Sequence, residues 1–110
     1  MSSVIFTSGY LEGDDDLTSI KGHRSDVLFM DDEGLCYELN FITMERLMVE
    51  VNSAFEKGDN YFSDTGLVIL DSITKNSIMK AIGRLIERKY FTTQKGCKAE
   101  SSNKWTVVKL

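Results

Sequence analysis

The sequence predicts an α+β fold in a single compact domain, on three observations. At 110 residues the chain is long enough for one hydrophobic core and too short for two. Short β-type runs fill the first forty residues, after which the apolar spacing becomes helical. With 42% hydrophobic and 27% charged residues, the composition is that of a folded chain and not of a disordered one. There is no proline, so the turns fall to Gly, Asp and Asn.

In chain order, Val4-Ile5-Phe6-Thr7 is the first strand candidate, and Leu11 to Asp16 reads as a polar loop. Asp26 to Met30 and Leu35 to Leu39 flank Asp31-Asp32-Glu33-Gly34, a hairpin turn with Gly where a positive φ is wanted. Met44, Leu47, Met48, Val51 and Phe55 then fall on one helical face, read as core-filling. Asn40 is the expected cap of this helix and Gly58 its stop.

The next stretch is read as a brief helix over Thr65 to Asp71, capped by Ser63 or Asp64. Its centre, Leu67-Val68-Ile69-Leu70, fits a buried strand equally well. A second long helix runs from Lys75 to Lys89 behind a Thr74 cap, with Ile78, Ile82, Leu85 and Ile86 as its apolar stripe. Tyr90 to Lys95 and Asn103 to Lys109 read as two strands around a flexible tip at residues 96–102, with Trp105 anchoring the second strand in the core. His23 is placed in a loop.

Charge divides the chain. From Met1 to Asp71 there are four Lys/Arg and fifteen Asp/Glu, and from Ser72 to Leu110 nine Lys/Arg and two acids. The halves carry −11 and +7. A basic segment holding one long helix and a late hairpin is the electrostatic footprint of a nucleic-acid-binding face.

Within that segment, Ile73 and Thr74 end a turn, Ser77 and Ile78 follow, and Ile82, Leu85 and a charged stretch lead into Tyr90-Phe91. This run resembles the recognition-helix segment of winged helix-turn-helix proteins, the small transcriptional regulators and plasmid or phage replication proteins. The resemblance covers residues 40–110. It implies a winged-helix-like portion there; residues 1–39, an acidic, β-rich N-terminal extension, lie outside the resemblance. A helix over 67–70 completes the two-helix motif, whereas a strand leaves a plain α+β sandwich.

The resemblance also implies DNA-contacting residues. Asn76 carries the amide pair that bonds adenine, and Lys75 or Lys80 reaches guanine acceptors. The Thr74 and Ser77 hydroxyls suit phosphate oxygens at the helix start. Arg84 and Arg88 suit the backbone further along. Lys95 and Lys98 near the wing tip, with Lys104 beside them, complete the set.

Catalytic and metal chemistry are not expected. No Ser or Cys nucleophile has a plausible His base, and no phosphate-cradling glycine motif is present. Cys36 and Cys97 stand far apart in no CxxC and read as two reduced thiols, so neither zinc nor another cofactor is predicted. The acidic loops lack EF-hand spacing. No apolar run approaches the roughly 18 residues of a membrane span, and the N-terminus lacks a secretory pattern, so a cytoplasmic protein is expected.

Two functions follow. In the first, the chain binds double-stranded DNA, and its acidic portion is a dimerisation or partner surface or restrains non-specific binding. In the second, it is an immunity- or antitoxin-type protein that neutralises a basic toxin such as a nuclease. Asp14, Asp15, Asp16, Asp31, Asp32 and Glu33 would then face the partner and steer association.

Overall fold

The short run Ser3–Phe6 (β1) is paired on both sides and buried along its whole length, so the sheet is covered on both faces there. The computed structural model describes residues 2–110. After β1 come α1 (Asp14–Lys21), β2 (His23–Met30), β3 (Cys36–Ile42), α2 (Met44–Glu56), β4 (Leu67–Ile69), α3 (Lys75–Glu87), a 3₁₀ turn (Tyr90–Thr93) and β5 (Thr106–Lys109). The five strands form one sheet in the order β4-β3-β2-β1-β5, antiparallel except for the parallel β3–β4 pair.

Strand alternation divides the sheet into two faces. On the first, Val4, Phe6, Val27, Phe29, Leu39 and Phe41 meet Ile73, Ile78, Ile82 and Phe91, and these residues form the core. Helix α3 supplies Ile78 and Ile82 to it, four residues apart on one side of the helix. The second face is covered differently. Helix α2 lies over β2, β3 and β4, and residues 97–105 start beside Cys36 of β3 and cross β2 on their way to β5.

Several elements stand where the sequence places them. The hairpin of β2 and β3 turns at 31–34, with Gly34 at φ 83°. Asp31 Oδ1 accepts from the N–H groups of Glu33 and Leu35, both at 2.9 Å, which closes the turn. Helix α3 starts behind its expected cap, as Thr74 Oγ1 accepts from Ser77 N–H at 3.1 Å.

Other elements differ. Asn40 lies inside β3, and the cap of α2 is Thr43, whose Oγ1 accepts from Arg46 N–H. Residues 14–21 are helical, not loop, with Asp14, Asp15 and Asp16 in a first turn that favours carboxylates. His23 begins β2 and is not in a loop.

The two-helix motif and its wing are not what residues 63–110 build. Leu67-Val68-Ile69 is a strand because its backbone completes the parallel ladder on Asn40–Ile42. Gly66 at φ 63° turns the chain just before it. Residues 90–93 turn instead of extending. Lys89 adopts φ 58°, and the Thr92 and Thr93 hydroxyls donate back to the carbonyls of Lys89 and Tyr90. This seats Phe91 in the core, its ring 4.3 Å from that of Phe29. The last strand does form, but beside β1 and not as the arm of a wing. Trp105, just before it, is half-buried over the second face.

Candidate functional site

The residues expected to meet DNA do not converge. The N-terminus of α3 is already occupied: Lys75 N–H donates to Asp15 Oδ1 at 2.8 Å, and Asp15 also accepts from the Tyr10 hydroxyl. The Tyr10 bond and the Lys75 N–H hold the Asp15 carboxyl below the usual carboxylate range. Burial and the Asp15 carboxylate push Tyr10 up to about 12. Thr74 and Ser77 bond each other, and Ser77 Oγ lies 3.2 Å from Ser72 Oγ. A phosphate approaching this helix start would meet a carboxylate.

Asn76, Lys80, Arg84 and Arg88 stay exposed in steps of four residues along the outer side of α3. Arg84 approaches Glu87 at 4.0 Å, a contact in open solvent worth little. The three remaining lysines are elsewhere. Lys95 lines a crevice with Tyr37, Gly66 and Tyr90. Lys98 is on the opposite face of the sheet, beside Asp26 and Glu38 in one cleft. The Lys104 carbonyl faces Gly9 at the β5 edge.

The predicted acidic residues are similarly dispersed. Asp14, Asp15 and Asp16 sit near the start of β2, and Asp31, Asp32 and Glu33 follow its end. Eight residues of strand separate these clusters, about 25 Å. Asp14, Asp15 and Asp31 are engaged internally. Asp14 accepts from Leu11 N–H and lies 3.7 Å from Arg24, Asp15 caps α3, and Asp31 closes the hairpin. Asp16, Asp32 and Glu33 are exposed.

A different surface stands out, on α2. None of its residues is buried. Leu47 and Val51 are half-covered, together with Arg46, Glu50, Ser53 and Ala54. The helix is therefore rotated so that part of its apolar stripe faces solvent. Its exposed residues are Met44, Glu45, Met48, Val49, Asn52, Phe55 and Glu56: four large apolar groups, two carboxylates, one amide and no cation. Arg46 is turned away and bonds Glu50 at 2.9 Å and the Lys21 carbonyl at 3.4 Å.

This surface continues into an open cleft of about 510 Å³ between α1 and α2, at the carboxyl ends of the parallel strands β3 and β4. Ile20, 83% exposed, and Val49, 60% exposed, give it apolar walls. Glu45 and Asp71 add carboxylates, and Lys21 and Arg46 also line it. Sequence reasoning missed the surface because the stripe Met44-Leu47-Met48-Val51-Phe55 has the spacing of a core face. The available signal was Val49, apolar but outside that stripe.

Among the described residues no group of three or more His, Cys, Asp or Glu is placed to hold a metal ion, and no helix is long and apolar enough to cross a membrane. No family model, no curated protein and no solved structure matches this chain.

Proposed function

We propose that this chain is a non-catalytic binding protein whose outer α2 face engages a basic protein partner. The carrying observation is the exposed side of α2, with four large apolar residues, two glutamates and no cation. Apolar groups left in water on one helix face favour a partner that covers them. The carboxylates of Glu45 and Glu56 on that face, and of Asp71 at the cleft, favour a cationic one and speed its approach. An immunity- or antitoxin-type role fits this chemistry, with the contact carried by α2 instead of the acidic clusters at 14–16 and 31–33.

The experiment captures a partner on immobilised protein and measures its affinity after purification. Wild type is compared with Met48→Asp/Phe55→Asp and with Glu45→Lys/Glu56→Lys. The apolar pair should cost roughly 30-fold or more in affinity, as expected for central anchors. The charge reversal should slow association roughly 10-fold at low salt. Equal binding by all three proteins overturns the reading. So does a wild-type homodimer that the apolar variant abolishes, since the face would then be covered by a second copy.

A second reading rests on the ladder Asn76-Lys80-Arg84-Arg88 along α3. We also infer from it a contact with the phosphate backbone of double-stranded DNA, made by the flank of α3 and not its N-terminus. Three cations on phosphates predict a slope of log affinity against log salt of about −3. Lys80→Ala/Arg84→Ala should bring that slope to about −1. Fluorescence anisotropy with a mixed-sequence duplex checks both values, and absence of binding at low salt removes this reading.

A further inference from the structure

We propose that Cys36 and Cys97 are a redox modification site, closing a reversible intramolecular disulfide that staples the crossing segment 97–105 to β3. The two thiols are free in the structure. Sixty residues separate them in the sequence, yet they are direct cross-strand neighbours. Cys36 N–H donates to the Cys97 carbonyl at 2.8 Å, and Cys97 N–H donates to the Cys36 carbonyl at 2.9 Å. An antiparallel pair that exchanges both bonds has Cα atoms about 5.5 Å apart, inside the span a disulfide bridges.

Opposed residues of such a pair project to the same face. Both cysteines accordingly line one cleft of about 360 Å³, floored by Leu28 and Glu38. Their Cβ atoms must still draw together by about 1–2 Å to bond, because opposed positions of a hydrogen-bonded pair sit wider than a relaxed disulfide. A bond closed under such strain is readily reduced, which suits reversible control and not permanent bracing.

The two thiols differ in access. Cys97 is exposed and Cys36 is buried. With a low-molecular-weight disulfide such as glutathione disulfide as oxidant, the Cys97 thiolate attacks one glutathione sulfur. One glutathione leaves as a thiolate and takes up the proton Cys97 lost. The Cys36 thiolate then attacks Cys97 Sγ, the mixed disulfide breaks, and a second glutathione leaves and is protonated. Two protein thiols and one glutathione disulfide become one protein disulfide and two glutathiones. Burial and the Asp31 carboxylate push the Cys36 thiol up, against the Ala99 N–H directed at it, so the second step quickens as pH rises.

The test incubates the full chain with rising fractions of glutathione disulfide and reads free thiols by maleimide mass tagging. Both thiols should disappear together on a monomer lighter by two hydrogens, and dithiothreitol should restore them. Trypsin, cutting after Arg24, Arg46, Lys95 and Lys98, should release peptides 25–46 and 96–98 joined to each other. Cys97→Ser, a change at an exposed position, should leave Cys36 unmodified. A wild-type protein that stops at glutathionylated Cys97, forms only disulfide-linked dimers, or keeps both thiols overturns the proposal.

Discussion

Replacing Arg24 with methionine is expected to destabilise the protein by about 3 kcal/mol, a fall of about 15 °C in Tm by calorimetry. Arg24 is 8% exposed and ties three segments together. Its Nε and Nη2 donate to the two oxygens of Asp26 at 2.7 and 3.0 Å, and Nη2 donates to the Gly9 carbonyl at 2.7 Å. Asp14 lies 3.7 Å away. The guanidinium also packs 5.0 Å from the Phe6 ring centre and 4.5 Å from that of Tyr10. Methionine keeps much of the apolar contact and removes the charge. The half-buried Asp26 carboxylate then loses both guanidinium bonds and keeps backbone N–H groups, that of Ser8 and its own. Adding Asp26→Asn to Arg24→Met should recover part of the loss, because the stranded charge is then gone.

The same cluster sets the acid limb of stability. Burial pushes the Asp26 carboxyl up, but the Arg24 guanidinium and the Ser8 N–H outweigh it and hold the group below its usual value of 3.8. Asp15 is held down as well. Carboxyls lowered in the folded state bind fewer protons there than in the unfolded chain. Their contribution is complete above the unfolded value and is lost as pH falls through the folded one. Urea unfolding between about pH 5 and pH 3 should therefore show wild type losing more stability than Arg24→Met, which lacks the cation that lowers Asp26.

Gly66→Ala is expected to cost about 3 kcal/mol or more, for two separable reasons. Its φ of 63° is a conformation that side chains resist. An added Cβ would also collide with the Glu38 carbonyl and lie 3.2 Å from Leu39 Cα. Both atoms belong to the backbone of β3, so relief requires β4 to move off the sheet. Gly34→Ala is the matched control: φ is 83°, but nothing lies within 4 Å of its added Cβ. Urea unfolding should give Gly34→Ala a loss of about 1–2 kcal/mol, the conformational part alone. Equal losses at the two sites would show that the approach of Gly66 to β3 contributes nothing.

The candidate site was only partly legible before the fold was known. The exposed cations of α3 could be named from helical spacing, because which residues share a helix side depends only on positions a few residues apart. Whether they join Lys98 and Lys104 on one surface depends on a crossing segment that carries those lysines to the far face and edge of the sheet. The α2 surface was hidden for the same kind of reason. Its stripe has a core pattern, and the rotation that exposes Met44, Met48 and Phe55 is set by how Thr43, Arg46 and the β3–β4 crossover seat the helix.

By itself, the sequence determined the α+β class, the turn at 31–34, the existence of α2, the start and cap of α3, and the division of charge between the halves. All of these rest on local period, turn chemistry, capping or simple counting. The tertiary structure alone decided that Leu67–Ile69 is a strand on β3, that Tyr90–Thr93 is a turn holding Phe91 in the core, and that β5 completes β1 about a hundred residues away. In each, a short run with more than one acceptable local conformation takes the one in which distant partners satisfy its backbone and bury its side chains.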